Sequence, residues 1–206
     1  MSTRHERKDA MENRQLILQT ANQLFDLHGV QSVSMHQIAK TAGIGQATLY
    51  RKYAHKGDLC FDMLEHYAKQ FIDQSVQFLD DNHSDKPLHR LSGLLELWID
   101  AIEEKAELLI EMAASMNMHC NDPRGNFFLS PMYSFIRNKL SDLILEVIGT
   151  PQEQDPEPDL AAHTLICSIA PHGYFHIKQE KGFTKEDMKE HYRRLCFLLF
   201  KNHQHQ

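Results

Sequence analysis

Within the stretch Gln46 to Lys52 the chain sets Gln46, Thr48, Tyr50, Arg51 and Lys52 close together. An amide and a hydroxyl of this size can pair with base edges, while a guanidinium, an ammonium and a phenol reach phosphate oxygens. On one face of a short helix this set could bind nucleic acid. It would equally suit the solvated face of a plain helical hairpin. A second group has metal-type chemistry: His163 with Cys167, and His172 with His176, stand at i, i+4. Such pairs could hold zinc or another soft metal, or line an interface between helices. Glu103, Glu104, Glu107 and Glu111 invite a cationic ligand. However, Glu104, Glu107 and Glu111 share a helical face opposite Leu109, Ile110 and Ala113, and a solvated face is the simpler reading. There is no Gly-rich phosphate loop, nucleophile elbow or HExxH, so no catalytic residue is assigned and an enzyme is not expected.

The elements needed to position Gln46–Lys52 are legible upstream. Leu16, Ile17, Ala21, Leu24 and Phe25 form one stripe of an amphipathic helix over about 9–28, stopped by Gly29. Ser34 caps a short second helix carrying Ile38, Ala39 and Ala42, which ends at Gly43, and a third runs from Gln46 to about Tyr53. Small side chains at Ala39 and Ala42 let two short helices cross closely, and Gly43 supplies the positive φ of the turn. Ile38, Ile44 and Leu49 would form a small core against the first helix. This is a helix-turn-helix. Downstream, helical periodicity predicts segments over about 58–80, 88–104, 106–119, 130–148, 159–179 and 185–201, with a linker at 149–158. Thr184 and Asp187 have capping-box spacing. The fold class is all-α, with about nine helices.

The 206 residues suit one or two domains, and 42% apolar with 24% charged residues is ordinary soluble composition. A net charge of −6 argues against a nucleic-acid partner until it is divided. Residues 1–56 carry +4 and the rest −10, which points to a basic contact module on an acidic body, or to a chance fluctuation of surface charge. The domain boundary is accordingly expected at 56/57, with a helix-turn-helix domain over 1–56 and a helical body over 57–206. No apolar run approaches the roughly 20 residues of a membrane span, and the polar N-terminus has no secretory signal. Cys60, Cys120, Cys167 and Cys196 are widely spaced without CxxC, as in a reduced, cytoplasmic protein.

Residues 10–60 resemble the N-terminal domain of the TetR family of bacterial transcriptional regulators. The resemblance rests on Ser34, Ile38-Ala39, Ala42-Gly43-Ile44, Gly45, Thr48-Leu49-Tyr50, Tyr53 and Lys56, with Leu24-Phe25 and Gly29 upstream. It implies phosphate contacts from Ser34, Tyr50 and Lys56, base-facing positions at Gln46, Ala47 and Thr48, and a DNA contact from His36. Gly45 departs from the Ser that often caps the third helix, at a cost of a few tenths of a kcal/mol relative to a good cap. Ala47 can offer only methyl contact, for example to thymine. The family implies a homodimeric repressor with two recognition helices about 34 Å apart on a pseudo-palindromic DNA operator, released by a small-molecule effector.

For the body, the resemblance implies effector binding and dimerisation through the last two helices, about 159–179 and 185–201. No cofactor is implied. Trp98, Met112, Met116, Phe127, Met132, Tyr133 and Phe135 are the aromatic and Met residues that suit an adaptable pocket for a lipophilic ligand, or an ordinary helical core. A metal- or redox-sensing regulator using His163, Cys167, His172 and His176 is the alternative function. A helical carrier with an idle DNA module is a third.

Overall fold

A computed structural model describes residues 2–116, 127–150 and 155–200, with the side chains of the first ten residues and of Ala113, Ser115 and Met116 left aside. These residues form ten α-helices and one 3-10 turn, with no strand among them. The helices are α1 (Ser2–His28), α2 (Met35–Thr41), α3 (Gln46–Lys52), α4 (Lys56–Asp81) and α5 (Pro87–Glu104), then α6 (Ala106–Met116), α7 (Pro131–Ile148), α8 (Pro158–Ser168), α9 (Pro171–Lys181) and α10 (Lys185–Leu199). No described helix is long and apolar enough to cross a membrane.

Two boundaries differ from expectation. Helix α1 begins at Ser2 rather than near Asp9. The single helix expected over 159–179 is two, because Pro171 has no N–H for a continuing helical bond and holds Ala170 at extended φ −60°, ψ 136°. His163 and Cys167 therefore lie on α8, and His172 and His176 on α9.

The described chain divides into two compact units. The first contains α1–α3, α4 up to Glu65, and α6 from Glu107. Its core is Ile17, Ala21, Leu24 and Phe25 of α1, Ile38 and Ala39 of α2, Leu49 of α3, and Leu59, Cys60 and Met63 of α4, all buried. Helices α2 and α3 are seven residues each, too short to persist alone, so packing rather than propensity holds them. Gly29 and Gly43 take φ of +77° and +67° at the two turns.

The second unit holds His66–Ala106 and the helices from α7 onward. Here α5 packs on α7 and α10, and α7 packs on α8. Leu91, Leu94, Leu95, Ile99, Ile136, Leu140 and Ile144 fill the centre. An acidic row on α5 secures the last two helices: Glu96 takes Arg193, Asp100 takes Lys185 and Lys189, and Glu103 takes Lys178 together with the Tyr174 hydroxyl. Thr184 and Asp187 make a complete capping box at the start of α10.

Candidate functional site

The recognition face follows from the burial of a single residue. Leu49 is fully buried, which turns Gln46, Ala47, Tyr50, Arg51 and Lys52 of α3 outward, with Thr48 half-buried between them. Gly45 caps α3 through its backbone alone. Across the turn, the Gln46 amide donates to His36 Nδ1 at 2.5 Å, so two residues expected at DNA are joined at the entrance of the motif. Ser34 Oγ accepts from the Gln37 N–H at 3.2 Å as the cap of α2. That cap leaves its own O–H to donate, as a phosphate contact requires.

Lys56 has a different geometry from the phosphate contact expected of it. Its ammonium donates to the carbonyls of Val30 (2.8 Å) and Val33 (3.2 Å) and pairs with Glu111 at 3.5 Å. The Lys56 and Glu111 side chains are only 16% and 15% exposed. Glu107 accepts from the Val30 N–H at 2.8 Å, and Glu111 also takes the Gln31 amide at 2.9 Å. Two carboxylates of the row expected to face solvent thus brace the segment between α1 and α2. Sequence spacing could not reveal this, because the partners lie 77 and 80 residues apart.

A second brace centres on Asp62, which accepts from Arg14 and from the Tyr53 hydroxyl and joins α1, the end of α3 and α4. Burial pushes its pKa up, but the hydrogen bonds from Arg14 and Tyr53, with the charges of Arg14 and Lys52, outweigh that and hold it below the ordinary carboxylate range. Since the folded pKa is depressed, the carboxylate stabilises the fold above its ordinary pKa of about 4, and that contribution disappears as pH falls through the folded value. Asp62→Asn should cost roughly 1–2 kcal/mol at pH 7 in urea denaturation, with a smaller gap to the parent at pH 3. An equal gap at both pH values would refute this assignment.

Of the residues expected to meet an effector, the structure brings Trp98, Phe127 and Tyr133 together. Ring centroids of Trp98 and Phe127 are 6.1 Å apart, and those of Phe127 and Tyr133 5.5 Å. Phe128 sits edge-on to Tyr133 at 5.2 Å, and Phe71 of α4, which the sequence reading omitted, lies edge-on to Trp98 at the same distance. Phe71 stands in the apolar stripe of α4, where only its pairing with α5 distinguishes it from ordinary core. Met132 and Phe135 are half-buried on α7, and Met112 is half-buried on α6 in the first unit. The side chain of Met116 lies outside the described residues.

The His/Cys cluster is only partly assembled. Cys167 Sγ is 3.5 Å from His163 Nε2, and the Tyr133 hydroxyl is 2.7 Å from His163 Nδ1. His172 and His176 are exposed on α9. Among the described residues there is no group of three or more His, Cys, Asp or Glu placed to hold a metal. Cys60 and Cys196 are buried, and burial pushes both thiols up to about 12; Cys120 lies outside the described residues.

Residues 17–63 match the model of the bacterial regulatory proteins of the tetR family. An HTH-type transcriptional regulator of Staphylococcus aureus (strain bovine RF122 / ET3-1) is 48% identical over 96 residues, covering 46% of this chain and 52% of the relative. The match therefore spans about half the length of that curated relative. A TetR transcription regulator from Haloarcula marismortui superposes with TM-score 0.62 at 17% identity, over 93% of this chain and 98% of that one. The Thermus thermophilus FadR repressor, in complex with lauroyl-CoA, superposes with TM-score 0.61 at 17% identity, over 89% and 93%. At such identities the superpositions establish the fold. The helix-turn-helix segment over residues 17–63, with Leu49 inward and Tyr50, Arg51 and Lys52 outward, is that of the bacterial regulatory proteins of the tetR family.

Proposed function

We propose that the chain is a transcriptional repressor that binds a pseudo-palindromic operator as a homodimer and is released by a small lipophilic ligand. The observation that carries this reading is the outward face of α3, polar and basic over a fully buried Leu49. In it, Gln46, Ala47 and Thr48 meet base edges, while Ser34, Tyr50, Arg51 and Lys52 meet backbone phosphates and His36 supports Gln46. Lys56 acts from within, holding the turn before α2 rather than touching DNA. Exposed apolar residues on α8 and α10, Leu160 (62%), Leu198 (65%) and Leu199 (53%), support a self-complementary interface there. The aromatic group around Trp98 supports a lipophilic effector.

Footprinting of the full chain on the intergenic DNA beside its own gene tests this. Protection should cover two half-sites about one helical turn apart. Arg51→Ala should weaken binding about tenfold and lower the salt slope by about one. No preference over random duplex at physiological salt would overturn the proposal.

A further inference from the structure

Two buried polar atoms on the α4–α5 seam of the second unit have no hydrogen-bond partner among the described residues: Trp98 Nε1 and Ser75 Oγ. Trp98 is 5% exposed and Ser75 not at all. They belong to one stretch of the seam. Phe71, one turn before Ser75, packs its ring 5.2 Å from Trp98, and Phe78, about one turn after, abuts α5 at Gly93, where a Cβ would fall 2.3 Å from Phe78 Cζ. A helical serine commonly satisfies itself on the carbonyl four residues back, yet Ser75 makes no such bond. Buried donors left unpaired are uncommon and costly, and they concentrate where a group is kept free for something else.

The chemistry of what they would accept is constrained. The indole N–H can only donate and the Ser75 hydroxyl can donate or accept, while beside Trp98 the rings of Phe71 and Phe127 lie at 5.2 and 6.1 Å, with Tyr133 5.5 Å beyond Phe127. Arg137, over the Tyr133 ring at 5.4 Å, has its charge met by Asp159 at 3.0 Å, although its Nε makes no hydrogen bond. Glu103 is already paired with Lys178. A buried carboxylate or ammonium would therefore lack a counter-charge, which water-to-interior transfer penalises heavily. A neutral carbonyl asks only for donors.

We propose that the Trp98 indole N–H and the Ser75 hydroxyl form the polar end of the effector site, and that they take the carbonyl oxygen of a neutral, largely apolar ligand. This rests on the reading of the aromatic group as an effector pocket and adds its ligand class. Benzophenone and diphenylmethane are suitable probes, because they are nearly isosteric and differ by the carbonyl. In calorimetric titration of the full chain, benzophenone should bind five- to tenfold more tightly than diphenylmethane. Trp98 is the sole tryptophan, so its emission should shift with benzophenone occupancy. Trp98→Phe keeps the ring and removes the donor, and should abolish the preference. Ser75→Ala should reduce it about threefold, and is a small enough change to preserve the helical circular dichroism. A charged analogue, 2-benzoylbenzoate, should bind worse than benzophenone. Equal binding of the two probes, or a preference retained in Trp98→Phe and Ser75→Ala, leaves a lipophilic pocket standing and overturns the inference. Binding of neither probe overturns the pocket with it, while operator footprinting judges the DNA-binding reading separately.

Discussion

Leu49→Ala is expected to abolish operator binding while leaving the second unit folded. Leu49 is fully buried in a helix of seven residues, so the side chain and not the helix keeps the recognition face in place. Truncating a buried leucine costs about 2–5 kcal/mol, a large share of the stability available to a small unit. In the proposed homodimer, a binding-competent fraction reduced in each head lowers apparent affinity multiplicatively, so a loss of the order of a hundredfold or more is expected. Amide hydrogen exchange locates the damage: α2 and α3 should lose protection while α5 and α7 keep theirs. Unchanged operator affinity would show that α3 is held by something other than this contact.

Lys56→Met should have the next largest effect, through a different cause. Methionine fills the space but leaves the Val30 and Val33 carbonyls without the ammonium donor and Glu111 without its counter-charge, with only the Gln31 amide still donating to it. With both side chains largely buried, about 2–3 kcal/mol of stability should be lost from the first unit. A residue acting at a phosphate would instead weaken DNA binding with no change in unfolding. Chemical denaturation therefore separates the two roles. The companion change Glu111→Leu, made in the Lys56→Met background, should restore part of the loss, because an unpaired carboxylate is removed with it. Failure of that rescue would place the Lys56 contribution in the carbonyls alone.

The helix-turn-helix was legible because its determinants are local. Ser34, Gly43 and Leu49 act within a few residues of themselves, through a cap, a positive φ and an inward-facing position. Thr184 and Asp187 were legible for the same reason. The division of 159–179 was signalled by Pro171, but periodicity on either side concealed it. The role of Lys56 was not legible. A lysine at a helix start beside a basic segment suggests phosphate, and only the fold brings Glu111 to it. The same holds for Glu107, whose place on a charged helical face gives no hint of a backbone N–H from Val30. In the aromatic group, residue types pointed to Trp98, Met112, Met116, Phe127, Met132, Tyr133 and Phe135, and only the fold shows that Trp98, Phe127 and Tyr133 come together. Which of their polar atoms would remain unpaired depends on how α4 lies against α5, and Ser75 was invisible until that was known.

The first unit is not one continuous stretch of chain: α4 to Glu65 and α6 from Glu107 both belong to it. This limits how freely such a protein can exchange parts with its relatives. A chimera joined at residue 56 would bring in a foreign recognition head but leave behind the carboxylates that brace it. Grafting only 1–56 should thus yield a head with altered operator preference and a weakened hold on its own turn. A graft that also carries Asp62, Glu107 and Glu111 transfers the brace with the specificity.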